Sequence, residues 1–132
     1  RGNLEGVLQL ADITVVLLPL TGQTINLMDR VAFNAMRPGS HVINCSRGEL
    51  VVDADLIAAL DAGQLASATL DAFREEPLPR GHPLWRHPKV RVTPHIASLS
   101  APDTAALILA DQVRRARNRQ HLADTINIEH GY

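Results

Sequence analysis

Three polar side chains follow short apolar runs at separate places in the sequence, and together they could perform acid–base chemistry. Arg47 follows HVINCS, Asp71 follows ASATL and His95 follows VRVTP. An arginine presents a planar fork of donors that matches a carboxylate in two parallel hydrogen bonds. A histidine gives or takes a proton near neutral pH. A carboxylate nearby, for which Glu76 is the candidate, would orient the imidazole and stabilise its protonated form.

These residue types form a set that suits the reduction of a 2-oxo acid. The arginine would bind the substrate carboxylate, the histidine would protonate the carbonyl oxygen, and the glutamate would support the histidine. No side chain can deliver hydride, so this chemistry requires a cofactor.

The elements that must position this set alternate between short β-rich runs and helical segments. The sequence predicts strands at Ile13–Leu18, His41–Cys45, Ala66–Leu70 and Val90–Thr93. It predicts helices over Leu4–Leu10, from Ile25 to Met36, from the N-cap Asp53 to Gly63, and from the N-cap Ser100 to about Arg119. Helical crossovers between consecutive strands imply a right-handed parallel sheet, whose ligands bind at the carboxyl ends of the strands. We therefore expect an α/β fold, with a parallel sheet flanked by helices and the polar endings along one edge.

Two local features add detail to this expectation. The run ITVVLL has no alternation, which is typical of a strand covered on both faces. Gly48 follows Arg47 and is expected to let the backbone turn there.

Composition excludes several other classes of protein. The formal net charge of −1 gives no reason to expect nucleic acid or an anionic membrane as a partner. The single cysteine excludes an internal disulfide and fits a reducing cytoplasmic compartment. No apolar run reaches the ~20 residues of a membrane span.

Longer motifs around these residues resemble the D-2-hydroxyacid dehydrogenases, most closely the bacterial glyoxylate/hydroxypyruvate reductases. The resemblance is carried by SRGELVVDADLIAALDAGQLASATLDAFREEPLP, HPLWRHPKVRVTPHIAS and LADITVVLLPLTGQT. It implies reduction of a small 2-oxo acid to the D-2-hydroxy acid with NAD or NADP, by a cytoplasmic homodimer. In such enzymes the arginine of the RG motif, the glutamate of the EP motif and the histidine of the TPH motif carry catalysis, which implies Arg47, Glu76 and His95.

The resemblance also implies the residues that line the cofactor. Asp71 would touch the nicotinamide, and Ala97 and Ser98 would lie beside its carboxamide. The remaining implied residues, which include two of the catalytic set, are Leu18, Pro19, Thr24, Cys45, Ser46, Arg47 and His95.

The chain departs from the family pattern in what it lacks. No GxGxxG occurs in it, and this glycine-rich loop is what holds the pyrophosphate of a dinucleotide. The first residue is not methionine, and we expect a fragment or a processed chain. Residues 1–132 would then form the C-terminal half of a Rossmann-type NAD(P)-binding domain together with the C-terminal helix. The alternative is a catalytically incomplete module that only folds and self-associates.

Other readings of single residues are weaker. Cys45, His95 and Asp71 could form a thiol-hydrolase triad if Cys45 were exposed and reactive. The spacing of His41, His82 and His87 matches no common zinc pattern, and we expect no metal site. Trp85 is expected to be a packing residue, although its proline-rich loop could instead border the mouth of a substrate site.

Overall fold

Four short runs of β-branched and small apolar residues form one parallel sheet. The computed structural model of the protein describes residues 4–98, 100–123 and 125–127. The strands are β1 (Ile13–Val16), β2 (Ser40–Asn44), β3 (Leu65–Leu70) and β4 (Val90–Val92), paired in the order β1-β2-β3-β4. All three pairings are parallel, so the predicted α/β class is confirmed.

Four α-helices and two short 3-10 turns connect and follow these strands. The helices are α1 (Leu4–Leu10), α2 (Arg30–Ala35), α3 (Asp53–Asp61) and α4 (Pro102–Arg117), and the 3-10 turns are Gly48–Leu50 and Pro83–Trp85. The chain divides into two compact units, Arg1–Ala97, which contains the sheet, and Ser98–Tyr132, which contains α4. Among the described residues no helix combines the length and hydrophobicity that a membrane crossing requires.

The core of the first unit lies on one face of the sheet. Val42 and Leu70 point from β2 and β3 into a cluster with Phe33 of α2 and with Leu56 and Leu60 of α3, and all five are buried. Burying a side chain of this size contributes roughly 1.5–3 kcal/mol relative to leaving it exposed. The two crossover helices are therefore held against the sheet by ordinary apolar packing.

The opposite face of β1 is open to solvent, which contradicts the expectation of cover on both faces. Ile13 and Val15 are 57% and 49% exposed, whereas Val16 is buried. Strand side chains alternate between the two faces, and α2 and α3 pack on the face of Val16. The strand also stops at Val16, so Leu17 and Leu18 belong to the loop that follows.

Three helix starts differ from the prediction, and the first has a clear local cause. The helix expected from Ile25 begins at Arg30, because the Asp29 carboxylate accepts the Ala32 N–H at 3.0 Å and caps it there. Asp53, predicted as the N-cap of α3, is the first helical residue instead. Val52 occupies the cap position, and no side chain caps the helix there. Ser100 likewise does not cap α4, since Ala101 occupies the cap position without a side-chain bond.

The structure assigns Gly48 a different role from the one expected of it. Its φ is not positive, so a left-handed turn does not require glycine there. A Cβ atom built on Gly48 would lie 1.9 Å from the carbonyl carbon of Phe73 and 2.2 Å from the backbone nitrogen of Arg74. Glycine is needed because the turn after β2 packs directly on the segment after β3.

We predict that Gly48→Ala lowers the free energy of unfolding by about 3 kcal/mol or more, since the new methyl group overlaps a backbone that cannot rotate away. Urea denaturation would measure this loss. Gly81→Ala is the matched control, because a Cβ there meets nothing within 4 Å. Equal stability of the two variants would contradict the close contact.

Candidate active site

The carboxyl ends of the four strands lie along one edge of the sheet, which we call the rim. The rim carries the loop Leu17–Asp29 after β1, the turn Cys45–Val52 after β2, the segment Asp71–Pro77 after β3 and the segment Thr93–Ala97 after β4. These stretches contain every sequence-predicted site residue except Ser98, which belongs to the second unit.

His95 and Glu76 form a hydrogen-bonded pair at the rim. The Nδ1 atom of His95 lies 2.8 Å from Oε2 of Glu76, and the other carboxylate oxygen accepts the Phe73 N–H at 2.8 Å. Both side chains remain partly exposed. His95 has a φ of 54°, a left-handed conformation that is uncommon outside glycine. The structure therefore holds this imidazole in one defined orientation, with Nε2 left for another partner.

The surroundings of Glu76 favour its ionised form. The hydrogen bond with His95 is the main cause that lowers the pKa of Glu76 below the ordinary 4.5, and the hydrogen bond from the Phe73 N–H is the second. Together these two bonds outweigh desolvation, which would raise the pKa. The charges of His95 and Arg47 lower this pKa further. The rim thus brings Arg47, Glu76 and His95 within electrostatic reach of one another.

The turn that presents Arg47 is organised by a buried amide. Asn44 is fully buried at the end of β2, where its Nδ2 donates to the carbonyl oxygen of Arg47 at 2.9 Å and its Oδ1 accepts the Ser46 N–H at 3.1 Å. The Arg47 Nη1 donates to the Ser46 carbonyl oxygen at 2.9 Å. The sequence motifs did not point to Asn44, although an amide at the end of an otherwise apolar strand is a usable sign of a residue that organises the following turn.

Asp71 fixes the segment that contains His95. It is 2% exposed, and its Oδ1 accepts the Thr93 hydroxyl at 2.5 Å and the Ile96 N–H at 3.0 Å, while Oδ2 accepts the Ala97 N–H at 2.8 Å. Burial opposes ionisation of this carboxyl, but these three hydrogen bonds and the charge of His95 hold its pKa below the ordinary 3.8. The carboxylate therefore ties the end of β4 to the end of β3.

A cleft of about 430 Å³ opens between the loop after β1 and the turn after β2. Its lining residues are Leu17, Leu18, Pro19, Leu20, Ser46 and Arg47. The Ser46 hydroxyl donates to the Leu18 carbonyl oxygen, and the Thr24 hydroxyl donates to that of Pro19 at 2.6 Å, so both hydroxyls hold the loop in place. The half-buried Cys45 donates its N–H to the Val16 carbonyl oxygen at 3.2 Å. A pocket of this size, lined by apolar side chains together with the polar groups of Ser46 and Arg47, fits part of a dinucleotide.

A second cleft of about 430 Å³ adjoins His95. Its lining residues are Phe73, Glu76, Pro77, Leu78, Trp85, Val92, Thr93, Pro94 and His95. Trp85 is half exposed there, and its indole N–H donates to the Pro79 carbonyl oxygen at 3.0 Å. The tryptophan is therefore a half-exposed wall of this cleft, and its loop borders the cleft as the second of the two expectations had it.

The weaker readings of single residues receive no support from the geometry. Nδ1 of His95 pairs with Glu76, while the Asp71 carboxylate is occupied by Thr93 and two backbone N–H groups, so the thiol-hydrolase arrangement is not formed. Within the part of the chain that the structure describes, no three His, Cys, Asp or Glu side chains group as metal ligands.

The unit that contains the sheet matches a known protein family. A sequence profile described as "D-isomer specific 2-hydroxyacid dehydrogenase, NAD binding domain" matches residues 1–97. The same residues form the first compact unit of the structure.

Curated relatives extend the likeness over nearly the whole chain. The glyoxylate/hydroxypyruvate reductase A of Serratia proteamaculans is 40% identical over 129 residues, which is 98% of this chain and 40% of that protein. The protein of the same name from Photorhabdus laumondii is 38% identical over 120 residues, or 91% of this chain and 38% of that protein. The chain therefore spans about two fifths of the length of these relatives.

Solved structures of similar proteins share the fold closely. A D-isomer specific 2-hydroxyacid dehydrogenase from Xanthobacter autotrophicus Py2, in complex with NADPH and MES, has 42% identity and a TM-score of 0.96 over 99% of this chain and 54% of that one. An NADPH-dependent glyoxylate/hydroxypyruvate reductase from Sinorhizobium meliloti, in complex with NADP and sulfate, has 31% identity and a TM-score of 0.92 over 100% of this chain and 43% of that one. The resemblance read from the motifs is confirmed.

We predict that Asp71→Asn lowers the free energy of unfolding at pH 7 by about 2 kcal/mol, since an amide has one acceptor oxygen instead of two and leaves at least one of the three donors without an acceptor. The folded pKa of Asp71 is depressed, so its carboxylate stabilises the fold above the ordinary 3.8, and that contribution is lost as the pH falls through the folded value. The difference in the free energy of unfolding between Asp71→Asn and the wild type should therefore be smaller at acid pH.

Urea denaturation at pH 7 and at acid pH would measure both effects. Thr93→Val is the matched control, because it removes one donor and leaves the two backbone bonds. A deficit that is the same at every pH would contradict the assignment of the ionised form.

Proposed function

The chain belongs to the D-isomer specific 2-hydroxyacid dehydrogenase family, through its NAD-binding domain, and we propose that the protein containing it reduces small 2-oxo acids to D-2-hydroxy acids with NADH or NADPH. Glyoxylate and hydroxypyruvate are the proposed substrates, because the curated relatives are named as reductases of these two compounds. Residues 1–132 are proposed to supply the C-terminal half of the cofactor domain and the helix that follows it.

The observation that carries this proposal is the 2.8 Å pair of His95 and Glu76. That hydrogen bond is the largest of the causes that lower the pKa of Glu76, and the Arg47 charge is near enough to be the smallest of them. A carboxylate held against Nδ1 fixes the imidazole and leaves Nε2 as its proton donor. A fixed acid next to a guanidinium is the arrangement that reduction of a 2-oxo acid requires, because one group must bind the carboxylate while the other protonates the carbonyl oxygen.

The roles of the individual residues follow from this geometry. The Arg47 guanidinium holds the substrate carboxylate in two parallel hydrogen bonds. A bound nicotinamide supplies the hydride. The Nε2 proton of His95 passes to the carbonyl oxygen, which becomes the hydroxyl of the product. Glu76, ionised and bonded to Phe73, stabilises the imidazolium before the transfer and orients the ring throughout.

The cofactor is proposed to lie along the rim. Leu18, Pro19 and Thr24 would border it from the loop after β1, and Cys45 and Ser46 would border it from the turn after β2. Asp71 and Ala97, joined by a hydrogen bond, would contact the nicotinamide end. The contact expected of Ser98 stays a prediction. The predicted homodimer and cytoplasmic location stay predictions, and so does the alternative of a folded module that only self-associates.

We predict that His95→Ala in the full-length protein lowers kcat by about 10²–10⁴-fold, the usual contribution of a general acid. Cofactor binding should be largely kept, because the backbone of the rim is unchanged. Stopped-flow turnover and nicotinamide fluorescence titration would measure the two effects. His41→Ala is the control, since His41 lies at the other end of β2 and pairs with Ser67. Wild-type kcat in His95→Ala would rule out the acid role.

We predict that Arg47→Lys lowers kcat/KM for glyoxylate by about 10–100-fold, because the charge remains but one charge-assisted hydrogen bond of the fork is lost. The effect should lie mainly in KM. Arg37→Lys, which replaces a surface arginine paired with Asp12, should leave the kinetics unchanged. Unchanged kinetics in Arg47→Lys would defeat the assignment of Arg47 as the carboxylate clamp.

A further inference from the structure

The guanidinium of Arg74 joins three of the four stretches that form the rim. Its Nε and Nη2 donate to the carbonyl oxygen of Val51 at 2.9 and 2.6 Å. Nη2 also donates to the carbonyl oxygen of Glu49 at 3.1 Å and to the side-chain oxygen of Asn26. One side chain on the segment after β3 thus bonds to the turn after β2 and to the loop after β1.

Each of the three joined stretches carries residues of the candidate site. The loop after β1 contributes Leu18 and Thr24, the turn after β2 contributes Arg47, and the segment after β3 contributes Glu76. Their relative placement decides how far the carboxylate clamp lies from the proton donor, because Glu76 sets the position of His95.

The loop after β1 is already attached to the turn after β2 by backbone hydrogen bonds. The Asn26 N–H donates to the Glu49 carbonyl oxygen and the Met28 N–H to that of Leu50, both at 2.9 Å. Between that turn and the segment Asp71–Pro77, by contrast, every hydrogen bond among the described residues comes from Arg74. Gly48 adds close packing there, and the hydrogen bonds of Arg74 constrain direction as well as distance.

We propose that Arg74 is a positioning residue, which sets the distance between Arg47 and the His95–Glu76 pair by bonding the segment after β3 to the turn after β2. This inference rests on the proposed function. Arg74 itself touches neither substrate nor cofactor in this role. This role depends on the forked shape of the guanidinium, because Nε and Nη2 both donate to one carbonyl oxygen and Nη2 also donates to two further acceptors.

Lysine cannot reproduce these contacts. An ammonium group is a compact charge on a flexible stem, whereas the guanidinium is planar and holds its donors in a fixed fork. Arg74→Lys should therefore retain the positive charge near Asp53, with which Arg74 interacts electrostatically. It should lose the hydrogen bonds that join the segment after β3 to the turn after β2.

The test compares Arg74→Ala and Arg74→Lys with Glu75→Ala, a change at the neighbouring exposed residue, all in the full-length protein. We expect kcat/KM for glyoxylate to fall about 10–100-fold in Arg74→Ala, since misplacement of a catalytic group by about 1 Å costs this much. Arg74→Lys should fall between that variant and the wild type. Added ethylguanidinium should restore part of the activity of Arg74→Ala and leave Glu75→Ala unchanged.

Amide hydrogen exchange gives a readout that does not depend on turnover. We expect faster exchange at Asn26 and Phe73 in both Arg74 variants, because the loop and the segment are no longer held together. A lower melting temperature with wild-type kinetics and unchanged exchange would reduce Arg74 to a stabilising residue and overturn the inference.

Failure of this inference can be separated from failure of the proposed function. If His95→Ala keeps wild-type turnover, the proposed function fails, and the exchange data still decide whether Arg74 holds the segments. If Arg74→Ala does not fold, Arg74→Lys decides through the same two measurements. Wild-type kcat/KM and exchange in Arg74→Lys would overturn the requirement for the fork.

Discussion

Parallel pairing of the four strands is the constraint on which the candidate site depends. Because all strands run the same way, residues far apart in sequence emerge at one edge. Arg47 follows β2, Glu76 follows β3 and His95 follows β4, and only this pairing places them within reach of each other. The apolar core on the face of Val42 and Leu70 matters to function chiefly because it fixes this alignment.

Buried polar groups at the strand ends complete what the pairing begins. Asn44 satisfies the backbone of the turn that carries Arg47, and Asp71 satisfies the backbone of the segment that carries His95. Both are almost wholly buried, where an unsatisfied amide or carboxylate would be costly. Such groups define one loop conformation, since few other arrangements would meet their hydrogen-bonding needs.

The sequence predicted the strands and the pairing of His95 with Glu76 better than it predicted the loops. Strand positions follow from local runs of apolar residues, and the TPH and EP motifs pointed to His95 and Glu76, which the structure joins by a hydrogen bond. The contacts of Arg74 and the close approach at Gly48 join residues more than 20 positions apart, and no local pattern signals them. The exposure of Ile13 and Val15 could not be predicted from ITVVLL, because an unbroken apolar run favours a strand covered on both faces and does not show which elements will pack there.

The left-handed backbone of His95 has a thermodynamic consequence. A residue with a side chain keeps this conformation, at a cost on the order of 1–3 kcal/mol, only while its surroundings over-determine it. Here the surroundings are the Asp71 carboxylate and the two N–H groups just after His95. The ionisation of the almost wholly buried Asp71 is thereby coupled to the direction in which the exposed imidazole of His95 points.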